Sequence, residues 1–455
     1  MFNIILAADS YKLSHWKQTP PRLTHTYCYY ESRVGAKFDT TIFFGLQYLI
    51  KKYLIGQVVT EEKINQAKLF CKMHFGRDDV FNEEGWRYIL TKYNGFLPIV
   101  IKAVPEGTEV PVDNMLFSVE NTDPKCAWLP GHLETLLVQL WYPSVVATLS
   151  NRARKVILAG LEESGSTEQI EFKLHDFGFR GSTSVESAGI GGLAHLLNFK
   201  GTDTIQAITT GIEYYDSGIC GFSIPAMEHS TVCSWGVYGE ADAFLNMMRN
   251  FQEGIIAIVS DTYDINNACS EIYGEELRDW ILARKGTLVV RPDSGDIIEM
   301  SLRVVQLLGE KFGTAVNQKG YRVLPDFIRV IYGDGCTLET IRSVVDNFIY
   351  NGYSIDNIAF GMGGGLLQKV NRDTQRAAYK ASNVTIDGRD YAIAKNPVSD
   401  PSKKSKMGKL KLIKEGRIYR TIPESEPGTC ILDTVYKNGE LLINETFDTV
   451  RNRIK

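Results

Sequence analysis

No two of the eight cysteines (Cys28, Cys71, Cys126, Cys220, Cys233, Cys269, Cys336 and Cys430) form a C-x-x-C pair, and the seven histidines contain no H-E-x-x-H. A zinc site built on a local motif is therefore not expected. Scattered cysteines in a long chain read as reduced thiols of an intracellular protein. The opening "MFNIILAADSYKLSH" has no basic leader, and its apolar run stops at Asp9, so it reads as a strand and not a signal sequence. No segment reaches the ~20 apolar residues that span a bilayer. A strong charge of either sign is also missing: 50 Lys and Arg against 54 Asp and Glu give a net charge of −4, which argues against nucleic acid as the main partner. Low-complexity linkers and repeats of fixed period are absent too. Together these absences point to a soluble cytoplasmic globule.

What is present is an ordinary enzyme-sized composition, with 44% hydrophobic and 23% charged residues over 455 positions. That length exceeds one small core and predicts two domains, or one large domain with additions. Residues 1–150 mix helical periodicity ("TEEKINQAKLFCKMHF") with strands broken by turns ("LPIVIKAVPEGTEVPVDNMLFSVENT"). From about 151 to 377 short apolar runs end in polar or glycine-rich turns, several followed by helical segments: "FKLHDFGFRG", "GIIAIVSDTYDINNAC", "GTLVVRPDSGD", "FIRVIYGDG" and "NIAFGMGGG". Strand, loop and helix in repetition predict a parallel sheet with crossover helices, here an irregular, TIM-like α/β barrel. Strand patterns return over 378–455. These residues and 1–150 are expected to pack together as a mixed, mainly β second domain. In a barrel the chemistry lies where strands end, which directs attention to 175–180, Asp261, 291–293, 333–335 and 361–365.

The stretch "GMGGGLLQK" tests a nucleotide-binding turn. Gly361 and Gly363 fill the first positions of G-x-G-x-x-G, but the third falls on Leu366, and no P-loop is present. What remains is a strand running into bare glycine backbone, with a helix expected from about Leu366, an arrangement that suits phosphate. "YGDG" (332–335) is a second glycine turn with an acid inside it. "RPD" places Arg291 beside Asp293, and "SDTYD" supplies Asp261 and Asp264, the latter equally readable as a helix N-cap. Glycine cradles with several aspartates suggest a phosphorylated sugar, the carboxylates serving ribose hydroxyls or magnesium. Arg180, Arg372, Lys380 and Lys395 follow loops, and "DPSKKSKMGK", with Lys403, is a basic run.

At these loops the chain resembles the nicotinamide phosphoribosyltransferases, type II phosphoribosyltransferases, nearly from end to end. The stretches that carry the likeness include "ADSYKLSHWKQTPP", "FFGLQYLIKKYL", "KLHDFGFRG", "NFKGTDT", "IPAMEHST", "VSDTYDI", "RPDSG", "GDG" and "FGMGGGLLQK". The resemblance implies transfer of phosphoribose from phosphoribosyl pyrophosphate to nicotinamide, by a homodimer with composite sites. It implies that Phe177 stacks on one face of the pyridine ring and Tyr11, from the partner subunit, on the other. Asp203 would accept from the amide of nicotinamide and repel nicotinate; Arg291 would reach the amide oxygen and Asp293 the ribose hydroxyls. Gly333, Asp334, Gly363 and Gly364 resemble the 5′-phosphate cradle. Arg33, Arg180, His229, Arg372, Lys380, Lys395 and Lys403 match positions around the pyrophosphate, Asp9 joins the substrate-binding set, and Asp261 the catalytic one. Mg²⁺ is implied, though its ligands are not, and ATP is implied as a coupled substrate that phosphorylates His229.

The chemistry agrees with such roles. Departure of pyrophosphate builds oxocarbenium character on ribose, so the site must stabilise separating charges by preorganised electrostatics. The pyridine nitrogen is already nucleophilic and requires positioning, not a general base. The sequence departs from animal relatives in a shorter loop after Arg33 and in Ala257, where relatives carry a serine. Competing readings are a nicotinate phosphoribosyltransferase, opposed by Asp203; a dinucleotide-binding oxidoreductase, opposed by the missing third glycine; and a non-catalytic binding protein, opposed by retention of Asp203, His229, Arg291 and Asp293.

Overall fold

A computed structural model describes residues 2–396 and 405–454. The chain divides into two compact units, one of Met1–Thr148, Gly211–Ser217 and Asn371–Lys455, the other of Leu149–Thr210 and Gly218–Val370.

The first unit is built on a seven-stranded antiparallel sheet in the order Arg389–Ala392, Ala377–Ile386, Leu23–Ser32, Met115–Asn121, Ile99–Ala103, Asp433–Lys437, Glu440–Leu441. Leu23–Ser32 is central, and its second half, from Cys28 to Ser32, is buried on both faces. The helices Leu46–Tyr53, Glu61–Phe75 and Glu83–Tyr93 belong to the same unit. Thr60 and Asn82 cap the latter two, accepting from the Lys63 and Gly85 amides, and left-handed Gly76 and Asn94 end them. The unit is thus α+β and not mainly β. The expected N-terminal strand is also corrected. Ile4–Leu6 and Ser10–Lys17 are 3₁₀ turns, the first started by the Asn3 side chain accepting from the Ile5 amide. A tight turn buries the consecutive residues Ile4 and Ile5, which a strand would send to opposite faces.

The second unit holds a six-stranded, wholly parallel sheet in the order Gly201–Thr202, Leu174–Asp176, Ile358–Met362, Ile328–Tyr332, Leu288–Arg291, Ile256–Val259. Ile256–Val259 is buried throughout, as expected for strands covered on both faces. Helices Val185–Leu196, Glu240–Asn250, Ile297–Phe312 and Leu338–Tyr350 lie between strands in sequence. Phe222 bridges to Gly201 at one edge and Ala226 to Ala257 at the other, so the sheet curls. The eight strand–helix repeats of a TIM barrel are not found among the described residues. The fold is mixed α/β, with a curled parallel sheet. Among the described residues no helix is long and apolar enough to cross a membrane.

Candidate active site

Because all six strands run in one direction, their carboxyl ends meet along one edge of the sheet, and the loops there carry the acids and glycines. Asp261 organises one corner. Its Oδ2 accepts from the Asp293 amide at 2.9 Å and from the Ser294 hydroxyl, which fixes the loop after Arg291. Its Oδ1 is buried with no hydrogen-bond partner and lies 3.8 Å from Nε2 of His229. The same Nε2 is 3.6 Å from Oδ2 of Asp293, while Nδ1 is 3.1 Å from the Thr262 hydroxyl. Burial raises the Asp293 carboxyl above its ordinary range; Asp261 and Asp334 add to this, and Arg291 and His229 oppose it. Asp264 is a cap, with Oδ1 accepting from the amides of Asn266 and Asn267.

A second group surrounds Phe177. The ring lies against Gly361 so closely that a Cβ there would come within 2.0 Å of it. A Cβ on Gly333 would meet Asp293 at 2.5 Å and the same ring at 3.4 Å. Asp203 sits two residues beyond the register pair His175–Gly201. Its Oδ1 accepts from Ser223 at 2.6 Å and lies 2.9 Å from Nε2 of His175. Burial would raise this carboxyl, yet the His175 contact, the Ser223 bond and the charge of Arg291 hold it below the ordinary value. Arg291 therefore acts on both acids, and its own Nε is buried without an acceptor. His175 and Ser223 were not assigned roles from the sequence. Pairing of His175 with Gly201, two residues before Asp203, is the signal that would have found the first. His175 and Ser223 also line a cavity of about 520 Å³ with Lys173, Phe222 and Arg329.

The glycines of 361–365 separate into two kinds. Gly361 is required by Phe177, and Gly365 by the carbonyl of Cys336, which its Cβ would meet at 2.3 Å. Gly363 and Gly364 have nothing closer than 3.5 Å to such an atom. The helix expected from about Leu366 begins at Gly364 and is a single turn, Gly364–Leu367. What the turn offers is open backbone: the amides of Gly333, Asp334 and Gly363 have no acceptor among the described residues. Gln368 ties it to the neighbouring loop, donating from Nε2 to the Gly178 carbonyl at 3.2 Å and the Ser182 hydroxyl at 3.1 Å. Arg180 stands exposed in that loop.

The remaining residues belong to the first unit. Asp9 is fixed to Thr135 through its amide and Oδ2, and Tyr11 is 59% exposed. Arg33 pairs with Glu31 at 3.1 Å, Lys380 lies 3.7 Å from Glu134, and Arg372 is exposed. The backbone of Lys395 bonds to Ser405 and its side chain is exposed. Lys403 lies outside the described residues.

Glycine turns, orphaned donors and clustered carboxylates at the carboxyl edge of a parallel sheet define an α/β protein built for a phosphorylated sugar. The model of the nicotinate phosphoribosyltransferase family matches residues 172–440, and that of the nicotinamide phosphoribosyltransferase N-terminal domain matches residues 3–101. The chain is 44% identical to the nicotinamide phosphoribosyltransferase of Xanthomonas campestris pv. campestris, over 99% of this chain and 97% of that protein. It is 31% identical to that of Acinetobacter baylyi, with the same coverage. Two crystal structures share the fold. Nicotinate-nucleotide pyrophosphorylase from Pyrococcus furiosus has a TM-score of 0.61 at 14% identity, covering 99% of this chain and 94% of that one. Human nicotinic acid phosphoribosyltransferase has 0.56 at 15%, covering 98% and 92%. The chain belongs to the nicotinamide phosphoribosyltransferase branch of the nicotinate phosphoribosyltransferase family.

Proposed function

We propose that the protein transfers phosphoribose from phosphoribosyl pyrophosphate to nicotinamide, releasing nicotinamide mononucleotide and pyrophosphate, in salvage toward NAD. The observation that carries this reading is Asp203, an acid held ionised by His175 and Ser223 beside Phe177 and Arg291. With Oδ1 engaged, Oδ2 is left to accept from a carboxamide NH₂, and its charge repels nicotinate, the substrate of the competing reading. Phe177 supports one face of the ring, and Arg291, with an unmet Nε, serves the amide oxygen. Gly333, Asp334, Gly363 and Gly364 hold the 5′-phosphate, and Asp293 the ribose hydroxyls.

The acids fit magnesium in part. No group of three or more His, Cys, Asp or Glu among the described residues makes a metal cage by itself. The orphaned Oδ1 of Asp261 and the neighbouring Asp293 suit an ion held by one or two carboxylates and by substrate phosphates. Bound there, magnesium would offset charge on the leaving pyrophosphate. His229 is 45% exposed, with Nε2 facing both acids, which suits a phosphoryl acceptor from ATP.

Arg33, Arg372, Lys380, Lys395, Lys403 and Arg180 are assigned to the pyrophosphate, and Asp9 and Tyr11 to a site shared across a homodimer. The α/β unit is read as the catalytic domain. The bridges of Phe222 and Ala226 to opposite sheet edges support an irregular barrel. Eight free cysteines support a cytoplasmic location. The test is incubation of purified protein with phosphoribosyl pyrophosphate, magnesium and either base. Mononucleotide from nicotinamide is expected; none from nicotinamide, or equal yield from nicotinate, refutes the reading.

A further inference from the structure

The first unit holds Lys12, Arg33, Lys380 and Arg372; Glu31 pairs with Arg33, Asp373 lies beside Arg372, and Glu134 stands between Lys12 and Lys380. Lys12 is 7% exposed and donates from Nζ to the Gly131 carbonyl at 3.0 Å and to Oε2 of Glu134 at 2.7 Å. The other oxygen of Glu134 lies 3.7 Å from Nζ of Lys380, beyond hydrogen-bond reach. Lys380 donates instead to the Tyr379 carbonyl of its own strand at 2.8 Å. Arg33 spends Nε on Glu31 and keeps Nη2 buried without an acceptor. Burial pulls Lys380 below its ordinary value, Glu134 opposes this, and Arg33, Lys12 and Arg372 deepen it. Lys380, Arg33 and Arg372 thus retain donors for an anion, whereas Lys12 is buried and held by Gly131 and Glu134.

We propose that Glu134 is a built-in counter-anion whose free oxygen, facing Lys380, weakens the hold of this cationic group on pyrophosphate and so speeds its release. An anion oxygen bound by Lys380 and Arg33 would approach Oε1 of Glu134, and like charges at that range repel strongly when partly buried. Lys12, buried and paired, complements this by fixing the carboxylate so that the repulsion cannot relax by rotation. Glu134 is a positioning residue that acts through Lys380. The inference rests on the assignment of these cations to the pyrophosphate.

Isothermal titration of pyrophosphate into the full-length protein, with nicotinamide omitted, tests it. Glu134→Gln keeps an acceptor for Lys12, removes the charge, and is expected to tighten binding about tenfold. Glu134→Asp keeps the charge but withdraws the carboxylate by one methylene, and is expected to tighten binding less, about two- to threefold. In turnover, Glu134→Gln should lower kcat while pyrophosphate becomes a stronger product inhibitor. Unchanged or weaker pyrophosphate binding in the folded variants, or none in any form of the protein, overturns the inference. Because no nicotinamide enters the titration, failure of mononucleotide synthesis would strike the proposed reaction and not this result.

Discussion

Asp203 is 46% exposed on its side chain, yet it keeps two fixed partners on one oxygen. A carboxylate that only solubilised the edge of the sheet would have no such scaffold. At ~4 Å, repulsion between two carboxylates amounts to ~1 kcal/mol in water and ~4 kcal/mol at a partly buried site, enough for roughly fivefold to several-hundredfold discrimination. Asp203→Asn removes the repulsion but keeps an acceptor for Ser223. Its nicotinamide kcat/KM should fall about tenfold or more while the ratio of nicotinate to nicotinamide activity rises. Steady-state kinetics with both bases decide it; an unchanged ratio would remove Asp203 from specificity.

Glu106 is a residue-scale case of a different sort. It is buried, accepting from the Gln47 amide at 2.7 Å and the Tyr215 hydroxyl at 2.8 Å. Burial pushes its carboxyl up to about 7, against an ordinary 4.5, with Glu445 adding to the rise. The native protein thus holds a proton that the unfolded chain releases across that interval. Stability is therefore highest below about pH 4.5 as far as this group is concerned, and falls as pH rises toward 7. The loss is ~3.5 kcal/mol, from roughly 2.5 pH units at ~1.4 kcal/mol each. Glu106→Gln should flatten the slope of denaturation midpoint against pH between 5 and 7.5 relative to wild type.

At the scale of elements, the glycine run shows how far sequence carried and where it stopped. Gly361 and Gly364 look alike in the chain, but one is packed against Phe177 and the other stands open at the first helical position. Gly361→Ala should cost ~1–3 kcal/mol of stability and raise the KM for nicotinamide, because the ring must move. Gly364→Ala should leave the melting temperature unchanged or slightly raised, as alanine favours a helix, yet raise the KM for phosphoribosyl pyrophosphate about tenfold. An unaltered KM there would remove Gly364 from the phosphate cradle. The strands and their carboxyl-end loops were legible because parallel strands leave uninterrupted apolar runs with polar stops. The N-terminal turns were not, since four apolar residues fit a strand or a tight helix equally and burial decided between them. His175 and Ser223 were missed for a related reason. Nothing in the spacing ties either to Asp203; the pairing of His175 with Gly201 and the bridge of Phe222 to Gly201 bring them there.

At the scale of the whole molecule, the question is what the exposed Tyr11 is for. Asp9 is fastened to Thr135 and Lys12 to Gly131 and Glu134, so the aromatic ring between them is displayed on a rigid support. If the proposed homodimer pairs Tyr11 of one subunit with Phe177 of the other, it gives a result that no arrangement within one chain can give. Tyr11→Ala and Phe177→Ala should each reduce activity severely as pure proteins. When the two are co-expressed, such a dimer would be mixed in about half the cases, and each mixed dimer would have one site with both rings and one with neither. Activity should therefore recover to about a quarter of wild type. If both rings serve a site within the same chain, every mixed dimer carries one lesion per site and no recovery occurs. Activity per dimer, measured on mixed dimers isolated through two different affinity tags, should reach about half of wild type; activity no higher than that of the single variants would place the site within one subunit.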